Sequence, residues 1–294
     1  MITILDGGMG GELQRRTGSA TGLWSAQALL EAPDLVVEIH KEYIEAGARI
    51  ITTNTYSTVP SYLGKSDLAA RYVELTTLAG ELAQRAVRES GEQVLIAGSI
   101  PPLSESYRPD LVPEEMEAAP IYEAMMKALR NNVDMYLCET MSTGEEALHA
   151  VRQVSQYGGD KPILVSWTLN EQPGQGLRNG EPIADAFDML SEYEIESFLF
   201  NCTSPEAILE GIKEMRGLTD KKLGGYPNRL NAVDPNWTLD NEYHTGLRTD
   251  IDVDFYVDMA HQFEQAGASI IGGCCGIGPK YIAALSQSIE RATG

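Results

Sequence analysis

Short apolar runs of β-type composition alternate along this chain with longer stretches whose apolar residues recur at helical spacing. The predicted strands are Ile2–Leu5, Ala48–Thr53, Val94–Ser99, Met135–Glu139, Ile163–Thr168, Ser197–Cys202, Leu223–Tyr226 and Ser269–Gly273. The amphipathic stretches are Pro33–Ala46, Asp67–Ser90, Glu114–Asn131, Thr143–Gln156, Ile183–Glu194, Pro205–Gly217, Asp252–Ala266 and Pro279–Ala292. Several open on helix-starting chemistry, such as Ala32-Pro33-Asp34 and Ser204-Pro205-Glu206. Alternation of this kind implies a parallel sheet covered by helices. Eight strand–helix pairs in 294 residues predict one α/β domain over 1–294, a (β/α)8 TIM barrel. An open doubly wound sheet is the alternative.

Polar and unusual residues gather where the strands end. Asp6, Asn54, Glu139, Asn201, Cys202, Asn228, Cys274 and Cys275 all fall at or just past a strand's C-terminus. In a barrel those ends share one face, where active sites form. Residues far apart in sequence would then meet in one pocket.

Composition narrows the class. An apolar content of 43% supplies a core, and no long uncharged apolar run predicts a membrane span. Met1-Ile-Thr-Ile-Leu-Asp6 carries neither a basic stretch nor a signal-type apolar run, from which a cytoplasmic protein is expected. The net charge of −21 disfavours nucleic acid and anionic membranes as partners and favours cationic ones, though solubility alone accounts for such a surface. The oligomeric state is left open, a homo-oligomer included.

Four cysteines stand at 138, 202, 274 and 275. Without an export signal, metal binding or catalysis is a better expectation than disulfides. Cys202 ends the sixth strand, and Cys274 and Cys275 follow the eighth within Gly272-Gly-Cys-Cys-Gly276. Three thiolates converging above a barrel, with one position open, match catalytic zinc; buried cysteines also serve as plain core residues. Cys138 has the opposite strand parity from Glu139 and is expected to face the helices. A phosphate-binding loop would explain the glycines near 272–278 but not the cysteines, and Gly7–Gly11 lacks dinucleotide-binding spacing.

The motifs Leu5-Asp-Gly-Gly-Met-Gly10, Thr53-Asn-Thr-Tyr56, Cys138-Glu-Thr140, Asn201-Cys-Thr203, Tyr226-Pro-Asn228 and Gly272-Gly-Cys-Cys-Gly276 resemble the homocysteine S-methyltransferases from end to end. The resemblance implies Zn2+ held by Cys202, Cys274 and Cys275, with Asn228 as an oxygen ligand that leaves when substrate thiol arrives. It implies that Glu139 grips the amino group of homocysteine, with Asp6 and the backbone at Gly7 as further amino-acid contacts; Asn54, at a strand end, is a further candidate substrate contact. A carboxylate ending an apolar strand, as Glu139 does, needs a cationic partner in any case. A cationic methyl donor calls for aromatic faces, for which Trp24, Tyr56, Tyr107, Trp167 and Trp237 are the candidates. S-methylmethionine is the expected donor, then S-adenosylmethionine, with betaine and dimethylsulfoniopropionate behind. A selenol acceptor or a non-catalytic zinc-binding barrel would use the same residues. Pro101–Asp110 departs from the Gly-Pro-Tyr pattern of many members, and Asn228–Asp250 reads as a polar lid.

Overall fold

The computed structural model describes residues 2–18, 23, 25–233, 237–238 and 246–293. Within them the strands are β1 (Thr3–Ile4), β2 (Ile50–Thr52), β3 (Leu95–Ile100), β4 (Met135–Met141), β5 (Ile163–Trp167), β6 (Ile195–Asn201), β7 (Lys222–Tyr226) and β8 (Ala268–Ile271). The helices are α1 (Met9–Thr17), α2 (Ala26–Glu31), α3 (Pro33–Glu45), α4 (Pro60–Gly64), α5 (Tyr72–Ser90) and α6 (Glu115–Leu129), then α7 (Gly144–Tyr157), α8 (Ile183–Asp188), α9 (Pro205–Arg216), α10 (Val253–Gln265) and α11 (Pro279–Thr293). The strands pair in parallel in the order β1-β8-β7-β6-β5-β4-β3-β2. A parallel bridge between Leu5 and Ile50 joins the two ends. Asp6 N donates to Ile50 O at 3.0 Å beside it. The expected (β/α)8 TIM barrel is therefore the fold, and it settles the choice against an open sheet.

Alternation along the strands, broken by a few register shifts, sorts side chains into two cores. Leu5, Ile50, Ala97, Met135, Leu137, Leu164, Leu199, Tyr226 and Ile270 fill the barrel interior. The opposite parity packs outward against the helices and includes Tyr136, Cys138, Val165 and Trp167. Cys138 is thus a core residue facing the helices, as its parity predicts. Trp167 is corrected as a donor contact: it stacks on Phe198 with ring centroids 5.7 Å apart, outside the barrel. His40 and His149 are buried on α3 and α7, and His261 on α10 bonds Ser288, so these three pack helices together.

Helices start tightly after the strand ends that carry chemistry. Thr143 Oγ1 accepts from Glu146 N at 2.9 Å, and the Glu146 carboxylate accepts from Ser142 N at 2.7 Å. This reciprocal cap fixes α7 directly after β4. Ser204 Oγ accepts from Ala207 N and Asp252 Oδ1 from Phe255 N in the same way.

Three differences from the sequence reading have local causes. The helix expected from Asp67 begins at Tyr72, because Asp67 adopts φ +58° and interrupts it. The helix expected to reach Glu194 is helical only to Asp188. Helices α1 and α2 lie between β1 and α3, where the sequence pattern predicts none; α1 is mostly polar and buries only Leu13. No helix of the described residues is long and apolar enough to cross a membrane.

Candidate active site and thiol cluster

The C-terminal ends of the strands open into a cavity of about 1030 Å3. Asp6, Gly7, Asn54, Tyr56, Tyr107, Glu139, Cys202, Trp237, Cys274 and Cys275 line it. Trp24 lies outside the described residues, as does part of the expected lid over 228–250; Leu230 and Leu247 form an antiparallel bridge within that segment.

The three cysteines converge as predicted, with all Sγ atoms within 4.8 Å of one another. Loops after β6, β7 and β8 are stitched together to achieve this. Cys202 N donates to Tyr226 O at 3.3 Å, Cys274 N to Pro227 O at 2.8 Å, and Arg229 N to Cys275 O at 2.8 Å. Glycines at two positions around the pair leave room that a side chain would fill. A Cβ on Gly8 would sit 2.7 Å from Cys274 O, and one on Gly273 would sit 2.1 Å from Ile277 Cγ2. Cys202 itself has φ +52°, a left-handed conformation unusual for a non-glycine residue.

The donor set fits a metal ion. Tetrahedral coordination with metal–sulfur bonds of about 2.3 Å sets sulfurs about 3.8 Å apart. Cys202 and Cys275 Sγ stand at 3.9 Å. Without an ion the cluster shares its protons: hydrogen bonds from Cys274 and Cys275 pull the Cys202 thiol well below the usual range. The bond to Cys202 and the charge there push the other two up.

Two carboxylates sit deeper in the cavity. Glu139 accepts from Ser99 Oγ and from Tyr226 Oη, the latter at 3.2 Å. Burial raises its pKa to about 7. Asp6 accepts from Thr52 N at 2.7 Å, and burial raises its pKa to about 8. Neither meets a basic side chain in these bonds. Each is held by hydrogen bonds that leave its need for positive charge unmet.

The remaining candidates are engaged locally. Asn54 Nδ2 donates to Ser25 O at 3.0 Å while lining the cavity. Asn228 is buried, and its Oδ1 accepts from Leu230 N at 3.1 Å.

Thr52, Ser99, Ser166 and Tyr226 escaped the sequence reading as site residues. Ser99, Ser166 and Tyr226 share a signal: each is polar, near a strand's C-terminus, and two or a multiple of two residues from an inward-facing apolar residue (Ala97, Leu164 and the barrel-filling parity of β7). The same parity carries Asn201 inward, two residues after Leu199.

Comparison with known proteins agrees with this geometry. The family model described as homocysteine S-methyltransferase matches residues 3–289. The homocysteine S-methyltransferase of Escherichia coli (strain K12) is 30% identical, with 97% of this chain and 94% of that protein aligned. Homocysteine S-methyltransferase YbgG of Bacillus subtilis (strain 168) is 28% identical over 98% of this chain and 96% of its own. The metallated form of the homocysteine methyltransferase MmuM from Escherichia coli superposes with a TM-score of 0.81 at 28% identity, covering 98% of this chain and 96% of that one. A barrel carrying a three-cysteine cluster at its mouth and a family match over nearly its whole length together lead to one conclusion: this chain belongs to the homocysteine S-methyltransferase family, enzymes that transfer a methyl group to homocysteine.

Proposed function

We propose that the chain moves a methyl group from a sulfonium donor, S-methylmethionine ahead of S-adenosylmethionine, to homocysteine at a zinc site formed by Cys202, Cys274 and Cys275. The observation that carries this reading is the triad of thiols within 4.8 Å of one another at one side of a cavity that also holds Glu139 and Asp6. Zinc, when bound, supplies the positive charge that keeps a substrate thiol deprotonated at neutral pH.

The chain's own groups do the rest. Glu139, oriented by Ser99 and Tyr226, takes the ammonium group of homocysteine, and Asp6 and the backbone of Gly7 border the same end of the cavity. A cationic ligand there favours ionisation of both buried carboxyls, which burial alone opposes. Tyr56, Tyr107 and Trp237 present aromatic surface to the cavity, suited to a sulfonium. The homocysteine sulfur attacks the methyl carbon; the new S–CH3 bond forms as the donor's S–CH3 bond breaks, and that electron pair stays on the donor sulfur. Asn54, which lines the cavity, and Trp24 are proposed as substrate contacts. Asn228 would serve as the exchangeable oxygen ligand only by releasing Leu230 N–H.

The test is elemental analysis of wild type and Cys274→Ala, with methionine formation from homocysteine and S-methylmethionine measured alongside. Stoichiometric zinc, lost with activity in the variant, supports the reading. Absence of zinc from metal-replete, reduced wild type refutes it. Zinc without turnover of S-methylmethionine refutes that donor.

A further inference from the structure

We propose that Tyr107 is a positioning residue for the thiolate cluster: its phenol donates a hydrogen bond to Cys202 Sγ and weakens that sulfur as an electron donor, with Arg178 set against the ring to strengthen the bond. This inference rests on the reading of the three cysteines as a metal site.

Tyr107 Oη lies 2.9 Å from Cys202 Sγ, and both side chains are buried. The contact is reached at a cost in backbone energy. Tyr107 adopts φ +64°, a region that bulky side chains rarely enter. Among the described non-glycine residues, only Asp67, Tyr107, Thr140 and Cys202 have positive φ, and the last three line this cavity. Strain concentrated in this way points to a functional demand on where the hydroxyl sits.

The direction of the bond follows from the charges around it. A tyrosine phenol, with an ordinary pKa of about 10, carries its proton at neutral pH and can donate it. A metal-bound thiolate has no proton to give and can only accept.

Arg178 comes from a different loop, after β5. Its guanidinium carbon lies 4.6 Å from the Tyr107 ring centroid. It is held there by an ion pair with Glu171 at 2.7 Å, and only 9% of its side chain is exposed. Glu171 also accepts from Val233 N at 3.3 Å, which ties in the loop after β7. A cation against the ring face draws on its electrons and makes the phenol a better donor.

A hydrogen bond to a ligating thiolate tunes the metal it binds. Here it leaves the ion more positive toward an incoming thiol. It also makes Cys202 a poorer nucleophile than the sulfur to be methylated, which matters in a site that brings a methyl donor close to the protein's own thiolates.

Cobalt(II) is the probe, because its sulfur-to-metal charge-transfer band reads thiolate donor strength directly. The full chain and Tyr107→Phe are loaded with cobalt, and band position and cobalt content are recorded. The band is expected to move to longer wavelength in Tyr107→Phe. It should move less, in the same direction, in Arg178→Met, which carries the test alone should Tyr107→Phe fail to fold. A band at the wild-type wavelength in the cobalt-loaded variants overturns the proposal and leaves the metal reading intact. Failure of the wild type to bind cobalt overturns both.

Discussion

Asn201 at the end of β6 grips Thr140 at the end of β4, past the intervening β5: its Oδ1 accepts from Thr140 N at 2.9 Å, and its Nδ2 donates to Thr140 Oγ1 at 2.7 Å. Thr140 directly follows Glu139 and has φ +61°, while Cys202 directly follows Asn201 and has φ +52°. One carboxamide therefore holds the turn that aims the carboxylate and anchors the strand end that presents the first thiol. Ser166 Oγ adds a third bond to Asn201 Oδ1 at 2.7 Å.

Asn201→Ala is expected to destabilise the protein and loosen both turns. Each buried group left without a partner costs about 1–3 kcal/mol. Calorimetry should show a melting temperature lower by several degrees, with weakened homocysteine binding in the folded fraction. An unchanged melting temperature would mean that the network contributes nothing.

Glu139 makes the substrate-free protein sensitive to alkali. Its folded-state pKa of about 7, against an ordinary 4.5, means the folded state holds this proton more tightly than the unfolded chain. Its contribution is full below about 4.5 and is lost as pH rises through about 7, to a total of up to about 3 kcal/mol. Urea unfolding at about pH 5 and pH 8 should show wild type losing stability relative to Glu139→Gln over that interval. A pH-independent difference would contradict this assignment.

His40 has the opposite sign. Burial lowers its pKa to about 4, and neither ring nitrogen has a hydrogen-bond partner. The folded state favours the neutral ring, so its contribution is full above about 6.5 and is lost as pH falls toward 4. His40→Leu should match or exceed wild-type stability at neutral pH and resist acid better. A variant that unfolds along the wild-type acid curve would show that other groups set it.

Gly8→Ala tests the backbone contact behind the cluster. The added Cβ would meet Cys274 O at 2.7 Å and has only backbone to push against. Competition with a chromogenic chelator should show metal affinity reduced on the order of tenfold or more, the usual cost of disturbing what supports a ligand. Cys138→Ala, altered on the helix-facing side of β4, should keep its metal.

Much of this protein is local in origin and was therefore legible in its sequence. Strand and helix periodicities depend on which neighbours along the chain are apolar, so the eight strand–helix pairs could be placed within a few residues. Parity along β4 assigned Cys138 outward and Glu139 inward without any coordinates. The glycine-framed cysteine pair stood out by composition as a candidate metal site, and the fold brings it beside Cys202. Helix α1 is short and mostly polar, with a single buried residue, and offered too few apolar positions to stand out.

Barrel closure decided what no local pattern encodes. The sulfur spacing, the clasp of Asn201 on Thr140 and the reach of Tyr107 to Cys202 join residues 61–95 positions apart. Trp167 and Tyr107 were equal as aromatic candidates until the fold sent one outward to stack on Phe198 and bent the other into a left-handed turn beside a thiol. Sequence determined the elements and the chemical inventory, because those follow from short-range covalent order. Tertiary structure determined which donors meet which acceptors, because hydrogen-bond geometry and burial exist only once distant strand ends share one mouth.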